Sequence, residues 1–368
     1  MFSFSLNRYT KLQIPIVYSC EEIVSSSPMN STLAQEATAL LSAPKRVFIV
    51  GHKNPDGDAI GSCLGLGLFL KKQGHQVSVV MPNGFPEFLK WMPGASDILC
   101  YDKASDKVKA ALDEADIVFT LDFNALNRIG DLGPLLEAYK GTLVMIDHHQ
   151  QPTDYALLTY SDVSMSSTAE MVYHFITALD CKDQIDAAIA TNLYAGIMTD
   201  TGSFRFPATT ATTHRAIADL IDAGAPNSLI HQYIFDSNSP SRLKLLGVAL
   251  NNLVLMPEYN TAFMKLSQQE LDDCNFRKGD TEGFVNYCLS IQGMVLAAIF
   301  IENKQEGITK ISFRSKGDFS VNHLARTHFH GGGHTNAAGG RSDQSLEQTI
   351  AEFISILPDY KHALLHDS

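Results

Sequence analysis

RVFIVGHKNPDGDAIGS, residues 46–62, decides the fold. Its first six residues, RVFIVG, are short, β-branched and apolar, the mark of a buried strand. Asn54 and Pro55 then break the chain, and from about residue 58 to 73 apolar residues return at helical spacing. The same order recurs along the chain. Residues 76–81 (QVSVVM), 116–121 (DIVFTL) and 142–147 (TLVMID) are expected strands, and 104–115 and 131–140 are expected helices. Strand–helix alternation calls for a parallel sheet with helices on both faces, an α/β fold. Two more helices are expected at 166–180 and 183–198, the first opened by a capping box of Ser167 and Glu170.

The pattern then changes. Residues 224–240 (GAPNSLIHQYIFDSNSP) read as loop, and 241–255 as helix. Strands follow at about 260–266, 294–302 and 308–314, helices near 281–290 and 320–328, and a glycine cluster, HGGGHTNAAGG, at 330–340. The expected layout is a lead-in at 1–33, a parallel-sheet domain at 34–225, a helix-bearing linker and hinge at 226–256, and a smaller α/β domain at 257–362. A length of 368 residues suits two domains.

Composition narrows the function. Hydrophobic residues make up 45% and charged residues 18%, ample for folded cores. A net charge of −12 argues against a protein that wraps long duplex nucleic acid, which calls for a basic face. Phosphate-bearing ligands must be attracted locally and be small. Cys20, Cys63, Cys100, Cys181, Cys274 and Cys288 form no CxxC pair, so reduced thiols in the cytoplasm are expected. No apolar run reaches the length of a membrane span. Residues 14–20 (IPIVYSC) imitate a lipoprotein cleavage site, but Arg8, Lys11 and Pro15 spoil the signal core.

Four carboxylate or histidine clusters fall where strands or helices end. They are His52, Asp56 and Asp58; Asp122; Asp147, His148 and His149; and Asp200. An Asp at a strand end is commonly a turn or cap, and His75 and His214, outside these clusters, are expected to be structural or surface residues. Ligands of open α/β sheets bind beyond the carboxyl ends of the strands, where the first three clusters converge. Gathered without counter-charge, these carboxylates would repel one another, and a pair of divalent cations would resolve that. Oxygen-rich ligands with some imidazole and no thiolate suit Mn²⁺ first and Mg²⁺ second. Two such ions activate water and stabilise the oxygens of a phosphate under attack.

The HxxxDxD run at 52–58, Asp122, the Asp-His-His triplet and the TDTGSFRF segment resemble, in order, the four motifs of the DHH phosphoesterase family. RSKGDFS at 314–320 and GGGHTNAAGG at 331–340 resemble its associated substrate-binding domain. The resemblance covers roughly residues 45–360. It implies that His52 and Asp56 hold one metal, that Asp58, His148 and Asp200 hold the second, and that Asp122 bridges both. His149 would act beside the scissile phosphate and Asp147 would orient an imidazole. Arg314 and Ser315 would take a terminal phosphate, Gly331, Gly332 and Gly333 would let backbone approach the nucleotide, and His334 would donate to phosphate.

Within the family, the size and the Arg-Ser and GGGH segments are similar to the compact nanoRNase (oligoribonuclease)/pAp phosphatase branch. That implies short single-stranded RNA, linear dinucleotides such as pApA, and pAp as substrates, with no membrane partner and an open oligomeric state, a homodimer included. The alternatives are an inorganic pyrophosphate or polyphosphate hydrolase on the same metals, and a nucleotide sensor that keeps the fold without turnover.

Overall fold

The computed structural model describes residues 29–366. Six parallel strands form the first sheet: β1 (Arg46–Val50), β2 (Gln76–Met81), β3 (Leu99–Cys100), β4 (Ile117–Leu121), β5 (Thr142–Asp147) and β6 (Leu158–Ser161), in the order β3-β2-β1-β4-β5-β6. β1 is apolar throughout because both faces are covered. Val47 and Ile49 enter one core, and Phe48 and Val50 enter the other. The flanking helices are α1 (Ser31–Leu40), α2 (Gly57–Lys72), α3 (Tyr101–Asp113), α4 (Gly133–Ala138), α5 (Thr168–Ala178), α6 (Ala187–Asp200), α7 (Ala211–Asp222) and α8 (Asn227–Phe235).

The approach of α2 to α6 builds the site. A Cβ on Gly61 would meet the Asn192 carbonyl oxygen at 2.5 Å, and one on Gly57 would meet Thr199 Oγ1 at 2.3 Å. Only hydrogen at these positions lets the start of α2, with Asp56 and Asp58, lie against the end of α6, with Asp200.

After α8 come α9 (Pro240–Asn251), α10 (Gln268–Asp273), α11 (Val285–Leu289), α12 (Val321–His328) and α13 (Leu346–His366), around strands β7 (Val254–Met256), β8 (Thr261–Leu266), β9 (Leu296–Asn303), β10 (Ile308–Ser315), β11 (Gly332–Gly333) and β12 (Ala337–Ser342). The second sheet runs β11-β12-β10-β9-β8-β7, antiparallel except for the parallel pair β8–β9. Helices α12 and α13 cover one face through Leu324, Phe353 and Leu357, while α9, α10 and α11 cover β8 and β9 on the other.

Several expectations change. The segment 224–240 is not all loop: Pro226 and Asp236 bracket the nine-residue helix α8. Its Ile230 enters the first core and its Tyr233 stacks on Trp91 with ring centroids 4.8 Å apart. Leu245 and Ala249 of α9 enter the second domain's core. The connection assigned to 226–256 thus narrows to 236–239. Residues 131–140 hold only six α-helical residues, because Gly130 turns left-handed at φ 58° and a 3-10 turn, Leu126–Leu132, takes its place. Helix α1 takes up residues 31–33 of the expected lead-in, whose remainder up to residue 28, including 14–20, lies outside the described residues. Ser167 caps α5 through the Glu170 amide, but the box does not close. The Glu170 carboxylate instead accepts from Ser166 and Thr213 and lies 3.5 Å from His174.

Candidate metal centre

All four clusters meet at the carboxyl edge of the first sheet. Asp122 follows β4 in the left-handed region at φ 66°, a conformation Asp tolerates. Its carboxylate lies 3.5 Å from His52 Nε2 and 3.6 Å from His148 Nε2, so it stands between two groups. One group is His52, Asp56 and Asp122; the other is Asp58, His148 and Asp200, with the donor atoms of each within 4.8 Å of one another. His148 Nε2 is 3.8 Å from Asp58 and 3.5 Å from Asp200.

Each donor is aimed by a second contact. His52 Nδ1 donates to the Lys53 carbonyl at 2.9 Å and His148 Nδ1 to the Met165 carbonyl at 3.2 Å, which turns both Nε2 atoms toward the carboxylates. Asp56 caps α2, accepting from the amides of Asp58 and Ala59. Asp58 is buried at the start of α5, where the amides of Thr168 and Ala169 donate to its two oxygens at 2.7 and 2.8 Å. The Thr168 hydroxyl donates to Asp122 at 3.0 Å. His149 Nδ1 lies 2.7 Å from Asp147 Oδ1, a buried carboxylate whose other oxygen has no partner.

The electrostatics carry the crowding. Burial, then the charges of Asp122, Asp200 and Asp56, push the Asp58 carboxyl well above the usual range. Asp200 rises to about 6, chiefly through burial, with His148 opposing. For Asp122, burial pushes upward, but the His52 hydrogen bond and the His149 charge hold the carboxyl below its ordinary value. Burial opposes charge on His52 and His149, yet their Asp partners raise both imidazoles. Four carboxylates around three imidazoles fit divalent cations: oxygen and nitrogen donors only, aimed inward, with no Lys or Arg ion pair among them.

The second domain closes over this floor. The His334 ring stacks on His149 at 4.3 Å and lies 4.6 Å from His148. Burial, then His149 and His148, push its pKa well below the usual imidazole value. Gln150 Nε2 donates to Thr335 Oγ1 at 3.0 Å, Arg326 donates to Gln151 Oε1 at 2.6 Å, and Lys278 Nζ donates to Asn54 Oδ1 at 2.9 Å. Arg314 Nη1 donates to the Phe313 carbonyl, while its buried Nε has no acceptor. The Ser315 hydroxyl donates to the Phe319 carbonyl at 2.6 Å and accepts from the Asn336 side-chain amide. Of the three glycines, Gly331 and Gly333 answer to strand packing. A Cβ there would meet the Gly339 and Ala337 carbonyl oxygens at 2.0 and 2.4 Å, whereas at Gly332 the nearest atom is 3.6 Å away.

His75 and His214 stay apart from the site. His75 Nδ1 accepts from the Lys45 amide, and His214 is exposed. The sequence reasoning missed Thr168, Ala169, Gln150, Gln151 and Lys278. Only Thr168 and Ala169 had a signal, since a helix start directly after Ser167 supplies free amides.

With this geometry, the comparisons place the chain in the DHH family. The DHH family, N-terminal domain, matches residues 46–197, and the DHHA1 domain matches residues 263–361. The chain is 31% identical over 309 residues to the bifunctional oligoribonuclease and PAP phosphatase NrnA of Thermus thermophilus, covering 83% of this chain and 88% of that protein. It is 28% identical to the Bacillus subtilis protein of the same name, covering 80% and 88%. The crystal structure of an exopolyphosphatase-related protein from Bacteroides fragilis superposes with a TM-score of 0.88 at 38% identity, covering 92% of this chain and 99% of that one. The chain is a divalent-metal-dependent hydrolase of this family. No helix among the described residues is long and apolar enough to cross a membrane.

Proposed function

We propose that this chain hydrolyses phosphate esters of small nucleotides: short oligoribonucleotides, linear dinucleotides such as pApA, and the 3′-phosphate of pAp. The observation that carries this is a floor of two His/Asp groups joined at Asp122, roofed by His334 and by Arg314 with its unpartnered Nε. Likeness to the two oligoribonuclease and PAP phosphatase proteins supports the nucleotide class.

His52 and Asp56 would hold one ion, Asp58, His148 and Asp200 the other, and Asp122 both, with Mn²⁺ preferred to Mg²⁺ because of the imidazoles. Bound there, the ions lower the pKa of water and neutralise charge on the phosphate. His149, held by Asp147, orients the phosphate or moves a proton at its Nε2. His334, kept neutral by burial, donates one hydrogen bond to a phosphate oxygen without adding charge to the floor. Arg314 supplies a planar fork for a second phosphate. Catalytic residues 34–225, a hinge within 226–256 and a binding domain at 257–362, acting in the cytoplasm, complete the proposal.

A second reading is hydrolysis of inorganic pyrophosphate or polyphosphate, favoured by the likeness to the exopolyphosphatase-related protein. Purified protein with Mn²⁺, then with Mg²⁺, offered pAp, pApA, a short RNA, pyrophosphate and polyphosphate in parallel, separates the two. Turnover is expected on the three nucleotide substrates. Preference for polyphosphate overturns the nucleotide reading, and tight nucleotide binding without turnover makes the chain a sensor.

A further inference from the structure

Polar contacts between the two domains differ in exposure. Arg326–Gln151 and Lys278–Asn54 lie in the open, where water competes for both partners. The contacts of Gln150 are half-buried: its Nε2 donates to Thr335 Oγ1 at 3.0 Å, and its Oε1 accepts from Asn322 Nδ2 at 3.4 Å. A hydrogen bond in a drier setting is stronger and costs more to lose.

Gln150 stands directly after His149 in the chain, and Thr335 directly after His334. One side-chain amide therefore ties the neighbour of a floor imidazole to the neighbour of a roof imidazole. The floor end is fixed from behind. Asn124 Nδ2 donates to the Gln150 carbonyl at 2.6 Å, and the Thr153 amide and hydroxyl donate to the Asn124 carbonyl at 2.8 and 3.0 Å. The roof end is a turn. The His334 amide donates to the Ala337 carbonyl at 2.7 Å, the Gly333 amide to Asn322 Oδ1 at 3.0 Å, and the Val321 amide to the Thr335 carbonyl at 2.8 Å. Those bonds lie within the second domain, so they shape the turn without placing it over the floor. The His334 ring meets the floor through ring contacts with His149 and His148, which tolerate sliding more than a hydrogen bond does.

We infer that Gln150 is a positioning residue: its amide pins the 333–337 turn to the floor and so sets where His334 stands beside His149. The inference rests on the proposed function only in giving His334 a phosphate to meet. Displacing a positioned group by about 1 Å costs up to about 100-fold in rate. A pin next to each imidazole has a leverage that the exposed Gln151–Arg326 contact lacks. Gln150 belongs to neither His/Asp group, so it acts through His334 and not through the ions.

The test uses the full chain in Mn²⁺ with Gln150→Ala, Thr335→Val and His334→Ala, and with the first joined in turn to each of the others. Values of kcat and KM are measured on whichever of the compounds named above the unsubstituted protein turns over fastest. Gln150→Ala and Thr335→Val should each lower kcat about tenfold. Together they should lower it no further than either alone, with bound Mn²⁺ unchanged by elemental analysis. In the His334→Ala background, Gln150→Ala should change kcat by less than about twofold, because the group it positions is gone. No loss in Gln150→Ala, a full tenfold loss in the His334→Ala background, or multiplied losses with Thr335→Val overturns the assignment. If the unsubstituted protein turns over none of the compounds, the proposed function fails separately, and amide hydrogen exchange decides the pin. Exchange across 331–337 should quicken about tenfold in Gln150→Ala and Thr335→Val alike, with β9 unaffected; an unchanged rate overturns the pin.

Discussion

The floor of the cleft and its roof are built to opposite rules. On the floor nearly every donor is held by a second element: Asp58 by the amides of Thr168 and Ala169, Asp122 by the Thr168 hydroxyl, His148 by the Met165 carbonyl, His149 by Asp147. On the roof, Arg314 keeps a buried Nε without a partner. Phosphoryl chemistry needs ligands fixed in place before the substrate arrives. Recognition needs donors that the protein itself has not used.

Substitutions sharpen this contrast, because floor changes should act on turnover and metal content, and roof changes on KM. Asp122→Ala removes the carboxylate shared by both groups. A loss of kcat on the order of 10⁴-fold is expected, as for groups that act as a unit, with lower metal content by elemental analysis. Near-normal turnover and metal content would break the bridging assignment. Arg314→Ala should raise KM by about 10- to 100-fold, the weight of charge-assisted hydrogen bonds, and leave metal content intact.

Glu170 lies behind the floor. Glu170→Ala strands Ser166, Thr213 and His174 in the interior and should cost about 2–3 kcal/mol in urea unfolding. Burial pushes the Glu170 carboxyl upward, but hydrogen bonds from His174, Ser166 and Thr213 hold it below its ordinary value. A depressed folded-state pKa stabilises above the unfolded value and is lost as pH falls through the folded one. The unsubstituted protein should therefore lose this contribution below about pH 4, and Glu170→Ala should show a flatter acid limb below about pH 5. Thr168→Val should lower kcat about tenfold through the lost hydrogen bond to Asp122, with Thr168→Ser restoring it. The smallest change is Gln151→Ala, which opens one exposed contact to Arg326 and should alter KM by about threefold or less.

Much of the floor was legible because its signals are local. A run such as RVFIVG must be a covered strand, and parallel strands bring their carboxyl ends to one edge, so His52, Asp122 and His148 converge by topology alone. The helix α8 was hidden by flanking Gly224, Pro226 and Pro240, which read as loop although Asn227–Phe235 form a helix once Ile230 has a core to enter. Ser315 and Gly331 match a binding motif, and in the fold the first makes an internal hydrogen bond and the second allows strand packing. A motif specifies residue types at a spacing; it does not say which neighbour claims them.

By itself the sequence determined the strand–helix alternation, the four clusters and their inward-pointing edge, because periodicity and turn chemistry act over a few residues. Tertiary structure alone decided that α5 would grip Asp58 and Asp122, that glycines would let α2 reach α6, and that Lys310 and Arg341 would face each other. Those pairings join residues 31 to 142 positions apart, and only packing and strand register can bring such distant positions together.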